Sequence, residues 1–201
     1  DSFSVEVIPQ DDPPFLLSTF PSLEINEDTN YTFSSLNTYF GDIDSDDSLI
    51  TYDVNSSNST LINGSLLNDS LHLFTGINQF GTAVVSVLAN SNGLSVQGDF
   101  NVSVISVNDP PQIIAGDIIN KIISEDLSGL TWGTLEVSAY DVEGDALNWE
   151  VSRKPQHGNY SFTSNKVGET INLNYVPHSN YFGQDSFILD VSDGQLSDQV
   201  E

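Results

Sequence analysis

The chain has 201 residues and carries 29 Asp or Glu against only 4 Lys or Arg, a formal net charge of −25. That balance excludes nucleic acid and anionic membrane surfaces as partners, because phosphates are gripped by clustered Lys and Arg. A hydrophobic fraction of 38% with 10% aromatics is too apolar for a disordered acidic tail, so the chain folds and carries charge that something must neutralise. There is no Cys and no Met. No apolar run approaches a membrane span and no charged-then-apolar leader opens the sequence, so no membrane insertion is expected in this segment. The expectation is a segment of something longer.

Taken in chain order, short runs of period two dominate. Phe3-Ser4-Val5-Glu6-Val7, Phe100-Asn101-Val102-Ser103-Val104 and Ser186-Phe187-Ile188-Leu189-Asp190 each alternate apolar and polar, and clusters of Asn, Asp, Gly, Ser and Pro separate such runs. No window sustains a 3.6-residue apolar stripe. The pattern predicts an all-β chain of sandwich type.

The sequence also repeats itself. Asp11-Asp12-Pro13-Pro14 returns as Asn108-Asp109-Pro110-Pro111, and Ile25-Asn26-Glu27-Asp28 as Ile123-Ser124-Glu125-Asp126. Asp42-Ile43-Asp44-Ser45-Asp46 returns as Asp141-Val142-Glu143-Gly144-Asp145, and Asn78-Gln79-Phe80-Gly81 as Asn180-Tyr181-Phe182-Gly183. The offset drifts only from 97 to 102 across the four motifs. Two copies of a module of about 100 residues are implied, the size of a seven-stranded sandwich. The Pro-Pro pairs stop strands and stiffen the links, which predicts modules held in line.

On this reading residues 1–10, which match the last strand of the first copy, belong to a preceding or neighbouring module. Residues 11–109 form sandwich 1, and residues 110–201 form sandwich 2 without its own last strand. The expected arrangement is one period of an array in which residues 1–10 complete the second module of a neighbour, through the chain or by strand donation between identical copies head to tail.

Bunched carboxylates carry the chemistry. Asp42, Asp44 and Asp46 alternate, as do Asp141, Glu143 and Asp145. A strand would point each set to one face, where like charges repel; a loop lets their oxygens converge on one point. Six to eight hard oxygens at about 2.3–2.6 Å are what Ca2+ takes. Tracing the chain through a sandwich brings Glu27 and Asp28, the link residues Asn108 and Asp109, and Asp141, Glu143, Asp145, Asp190 and Asp193 to the junction of the two modules. Asp11, Asp12, Asp42, Asp44 and Asp46 form the corresponding site above the first module. There Ala89 and Asn92 stand where the second module has Asp190 and Asp193, which predicts weaker calcium binding. An EF-hand is disfavoured, since Asp47 holds the position of the loop glycine and no helix flanks it. Salt adaptation or solubility is the rival account of the acidity.

These links, the Glu-Asp pairs, the Asp-x-Asp loops, Lys154-Pro155-Gln156-His157-Gly158, Asn180-Tyr181-Phe182-Gly183 and Val191-Ser192-Asp193-Gly194 resemble the cadherin-like tandem repeats of large microbial surface and secreted proteins. The resemblance spans nearly the whole chain and is looser in the first module. It implies Ig-like sandwiches, calcium between modules, and roles in adhesion or as spacers on the cell surface.

Catalysis finds no support. His72, His157 and His178 are isolated, and no nucleophile elbow, phosphate loop or dinucleotide loop occurs. His157 reads as structural. Seven Asn-x-Ser/Thr sequons lie at Asn30, Asn55, Asn58, Asn63, Asn68, Asn101 and Asn159, four of them within residues 55–70. They are glycosylation candidates of a surface protein or part of a flexible polar insertion. Trp132 and Trp149 can stack on sugars, but alignment of Trp149 with Tyr52 predicts a core position. The function expected is an extracellular structural or adhesive stalk or filament rigidified by calcium. The alternative is a carbohydrate- or receptor-binding accessory module of a secreted enzyme or adhesin, with a glycan or cell-surface ligand.

Overall fold

Alternating apolar residues bury one face of a strand only if a second sheet covers that face. The computed structural model describes residues 3–125 and 135–201; Asp126 and Trp132 lie outside the described residues. Two units, Asp1–Val107 and Asn108–Glu201, each enclose their own core. Both are β-sandwiches, with no α-helix among the described residues.

In the first unit the strands are β1 (Phe15–Leu16), β2 (Leu23–Asn26), β3 (Asn30–Phe33), β4 (Phe40–Gly41), β5 (Thr51–Ser56), β6 (Ile62–Leu67), β7 (Ser70–Thr75), β8 (Gly81–Ser91) and β9 (Leu94–Ile105). One sheet runs β2-β9-β8-β5, a second β3-β7-β6, and β1 pairs with β4. β2 lies parallel to β9, Leu23 beside Val102, while the other pairs are antiparallel. The long β8–β9 hairpin turns at Asn92-Gly93, whose positive φ of 49° and 85° fits the tight turn matched to strand twist. Along β9, Phe100, Val102 and Val104 point inward at 4%, 0% and 3% exposure while their neighbours face out or sit part-buried. Phe20 anchors this core, stacked on Tyr39 with ring centres 4.2 Å apart and met edge-on by Phe33 at 5.6 Å.

The second unit contains β10 (Gln112–Ile113), β11 (Leu135–Tyr140), β12 (Asn148–Arg153), β13 (Gly158–Phe162), β14 (Thr170–Pro177), β15 (Ile188–Ser192) and β16 (Ser197–Val200). Its sheets run β10-β11-β14-β13 and β12-β15-β16. Trp149 on β12 is 2% exposed, and its indole N–H donates to Gly168 O at 2.8 Å. It pairs with Val191 as Tyr52 on β5 pairs with Ala89. Tyr52 is only half-buried and donates its hydroxyl to Asn37; burial first, then the Asp69 and Asp47 charges, push its pKa up to about 12.

Two strands expected from period two come out differently. Residues 3–8 form no strand, with Phe3, Val5 and Val7 at 92%, 78% and 87% exposure. The Ser186–Asp190 run becomes a strand only from Ile188. Both differences have one cause: alternation makes a segment able to pair, but a strand exists only where a second backbone supplies donors and acceptors.

Candidate functional site

In the second unit a single carboxylate organises the acidic loop. Asp141 follows β11, and its Oδ1 accepts the N–H of Glu143 at 3.1 Å and of Asp145 at 3.0 Å. Such short-range acceptance by Asp is what turns the chain out of a strand. Gly144, at φ 79°, takes the left-handed position that closes the turn. Glu143 then reaches the link, where its Oε2 accepts the N–H of Asp109 at 3.1 Å. The link is also tied to the β15–β16 hairpin. Asn108 Nδ2 donates to Asp193 Oδ2 at 2.9 Å, and Gln195 Nε2 donates to Asn108 Oδ1 at 2.8 Å. Asp193 Oδ1 accepts from Gln195 N and Leu196 N, and these bonds, with a further one from Asn108, hold its carboxyl below the usual range against the opposing effect of burial. Asn108, Asp109, Asp141, Glu143 and Asp193 are thus one connected group, with Asp145 bound in through its N–H.

The first unit builds the same skeleton. Asp42 Oδ1 accepts from Asp44 N at 2.8 Å and Ser45 N at 2.9 Å, and Asp44 Oδ2 accepts the N–H of Asp12 at 2.7 Å. The Ser91 hydroxyl first, then the Asp44 and Ser45 N–H groups, hold Asp42 below the usual carboxylate range despite opposing desolvation. Asp46 caps a 3-10 turn at residues 47–49 by accepting from Ser48 N, and is held low by Ser48 as well. Asn92 Nδ2 donates to Asp11 Oδ1 at 2.9 Å and to Ser45 Oγ at 3.0 Å. In both units the other oxygen of the organising residue, Asp42 Oδ2 and Asp141 Oδ2, is buried and makes no hydrogen bond. A buried carboxylate oxygen without a donor is costly unless something positive meets it.

The remaining candidates are Glu27, Asp28 and Asp190. Glu27 is 1% exposed in the first unit; its Oε1 accepts the N–H of Val107 at 2.8 Å, while its Oε2 is buried without a hydrogen bond. Asp28 sits at φ 56° in the β2–β3 turn and accepts the N–H of Asn78 at 3.2 Å, a bond between two turns of its own unit. Asp190 does not join the loop group. It lies within β15, opposite Glu150, and accepts the Ser152 hydroxyl at 2.9 Å.

These placements change the carboxylate count on which a weaker first site is expected. The amide and the carboxylate have exchanged places across the link: Asp11 faces Asn92 in one unit, Asn108 faces Asp193 in the other. Each pair therefore holds one carboxylate. Strand register also sets Asp190 level with Leu88, not Ala89, since Val191 and Ala89 occupy matching positions opposite Trp149 and Tyr52. The sequence reading missed Gln195 and Ser91, ordinary polar residues whose roles follow only from the hairpin that carries them.

Residues 108–200 match the family model of the bacterial Ig domain. That second unit is Ig-like. No curated protein matches the chain. Among solved structures, the extracellular cadherin domains 1–5 of protocadherin gamma B2 share 16% identity over 94% of this chain and 38% of theirs, with a TM-score of 0.49. The endo-fucoidan hydrolase MfFcnA4 of glycoside hydrolase family 107 shares 18% identity over 97% of this chain and 29% of its own, at a TM-score of 0.44. Domains 4–9 of the surface layer protein SbsC share 14% over 98% and 32%, at 0.34. The chain spans less than two fifths of each of these.

Elsewhere in the Ig-like units the singled-out polar residues serve the fold. Asp185 accepts from Gln156 N, His157 N, Ser186 N and the Tyr175 hydroxyl. Burial pushes its carboxyl up, but the Gln156, Tyr175, His157 and Ser186 donors outweigh it and hold the group low. Gly158 leaves room for Tyr175, whose ring lies 2.3 Å from where a Cβ would stand. His157 stacks on Tyr181 at 4.1 Å. All seven sequon asparagines are exposed. Trp149, being buried, offers no sugar platform.

Proposed function

We propose that the chain is a stretch of an extracellular stalk or filament whose tandem Ig-like modules are stiffened where calcium neutralises their acidic ends. The observation that carries this reading is the repeated orphan: Asp42 Oδ2 and Asp141 Oδ2, buried without a donor at equivalent places. The surrounding donor set fits the ion. Asp11, Asp12, Asp42 and Asp44 in one unit, and Asp109, Asp141, Glu143 and Asp193 in the other, offer only hard oxygens, with no Cys or His among them. Glu27, with its buried second oxygen, is the further ligand this reading calls on at the link that follows it.

The mechanism is electrostatic linkage. Without the ion, bunched carboxylates repel and the acidic loops loosen; with it, binding free energy is realised only in the folded state and adds to stability. The role is to extend, hold distance and resist proteolysis.

Thermal unfolding with and without millimolar calcium, at fixed ionic strength, tests the reading. The midpoint is expected to rise with calcium and not with sodium at equal ionic strength. An equal response to both salts would make the acidity an adaptation to the medium.

A further inference from the structure

The sequence holds two Asn-Gly pairs, Asn63-Gly64 and Asn92-Gly93, and the fold treats them in opposite ways. In such a pair the glycine leaves the peptide nitrogen after the asparagine unshielded. That nitrogen can attack the side-chain carbonyl carbon, Cγ, and close a five-membered succinimide ring. Closure sets the glycine nitrogen and Cβ on one side of the Cα–C bond. For an L residue this means ψ at about −120°, the value at the first central residue of a type II′ turn.

Asn92 and Gly93 are the two loop residues of the β8–β9 hairpin, flanked by the pair Ser91 and Leu94. Asn92 already has the positive φ, 49°, that a type II′ turn takes at that place. Types I′ and II′ are the turns whose twist suits a two-residue hairpin, so the ring forms by turning one peptide unit while the strands stay paired. Nothing lies within 4 Å of where a Gly93 Cβ would stand, and both residues are exposed, so the peptide has room to turn and water has access. Two hydrogen bonds oppose the rotation, from Asn92 Nδ2 to Asp11 Oδ1 at 2.9 Å and to Ser45 Oγ at 3.0 Å.

The other pair also has its nitrogen beside the side chain, since Gly64 N donates to Asn63 Oδ1 at 2.9 Å. Its backbone, however, is committed to β6, where Asn63 pairs with Phe74 and Gly64 with Leu73. A strand holds ψ at about +135°, so closing the ring there tears the ladder. Packing is tight as well: a Cβ on Gly64 would stand 2.9 Å from Val54 Cγ2.

We propose that Asn92 is a self-modifying residue, which deamidates in the folded chain and sets a new carboxylate beside Asp11, while Asn63 is protected by its strand. Gly93 N loses its proton to water and bonds to Asn92 Cγ; the Cγ–Nδ2 bond breaks and Nδ2 leaves as ammonia. Water then adds to one of the two ring carbonyls, opening the ring to aspartate or to isoaspartate. One water is consumed and one ammonia released, with no oxidation. Either product adds one negative charge and removes the amide donor from Asp11, so like charges oppose each other in the loop. One consequence rests on the calcium reading: the converted loop gains a charged ligand and binds the ion more tightly.

Unglycosylated chain is aged in mildly alkaline buffer, folded and in denaturant, then digested. Both Asn-Gly peptides are followed by mass, as the exchange of NH2 for OH, and by isoaspartate content. In denaturant the two should convert at similar rates. In the folded chain Asn92 should convert at least about tenfold faster than Asn63, because the strand must open locally before its ring can close. Aged chain and an Asn92→Asp variant should both unfold at a lower midpoint than fresh chain in chelator, and calcium should offset the loss. Equal rates in the folded chain, or an Asn92 peptide that keeps its amide while both convert in denaturant, overturns the proposal. An unchanged midpoint in chelator removes the new carboxylate from beside Asp11. A lower midpoint that calcium does not offset, with Asn92 converted, sinks the calcium reading alone.

Discussion

The acidic ends of the two Ig-like units use one hydrogen-bond skeleton with different side chains. Asp42 and Asp141 each fold their loop around Oδ1, and Asp44 and Glu143 each accept the N–H of the link residue, Asp12 or Asp109. Across the link, however, Asp11 with Asn92 becomes Asn108 with Asp193. In each unit one amide donor meets one carboxylate acceptor, the link supplying the carboxylate in the first and the amide in the second. A tally of acids position by position and a count made per hydrogen-bonded pair therefore give different answers for these two loops.

The comparison breaks most visibly at the organising carboxylate. Asp141→Asn replaces an oxygen by a donor nitrogen at the buried position, and calcium affinity of the second unit should fall about a hundredfold, given how steeply ligand charge sets Kd. Calorimetry on the whole chain should then retain the binding step of the first unit, and loss of both steps together would show that the two ends are not independent.

Next comes the exchange itself. Asp193→Asn alone leaves two amides facing each other and should weaken calcium binding by about tenfold, one charged ligand fewer. Adding Asn108→Asp restores the arrangement of the first unit, so the double variant should recover most of the wild-type affinity. A double variant no better than the single one would mean that position, not pairing, decides.

The pH response follows from the lowered carboxyls. Hydrogen bonds hold the Asp42 and Asp193 carboxyls below the usual carboxylate range in the folded chain. Their contribution to stability is therefore present above about pH 4, the unfolded range for Asp, and is lost as pH falls through the folded values. Unfolding midpoints in chelator should stay level from these groups down to about pH 4 and drop below it. Asp193→Asn should remove part of that acid drop.

Asp190→Asn gives the smallest effect. Its carboxylate takes one hydroxyl bond from Ser152 on the sheet, so stability should change by about 1 kcal/mol or less and calcium binding not at all. A calcium defect comparable to that of Asp193→Asn would return Asp190 to the site.

Much was legible in the residues. The recurrence of Asp-x-Asp loops and Pro-Pro links, with an offset drifting only from 97 to 102, revealed two copies, and period two revealed sandwiches. Both are local or self-referential signals, carried by the alternation of side chains across a strand and by the chain's likeness to itself. Tertiary structure alone decided what those residues touch. The β15–β16 turn of the second unit spans residues 193–196 where the first unit turns on Asn92-Gly93, so Asp190 lies one register step away from where sequence alignment put it. Asp28 went to Asn78, and Gln195 came to Asn108 across 87 residues. Phe3–Val7 reads as a strand as clearly as Phe100–Val104 does, yet only the latter is one. Periodicity records which face a segment will bury; whether it buries it depends on a partner backbone arriving from elsewhere.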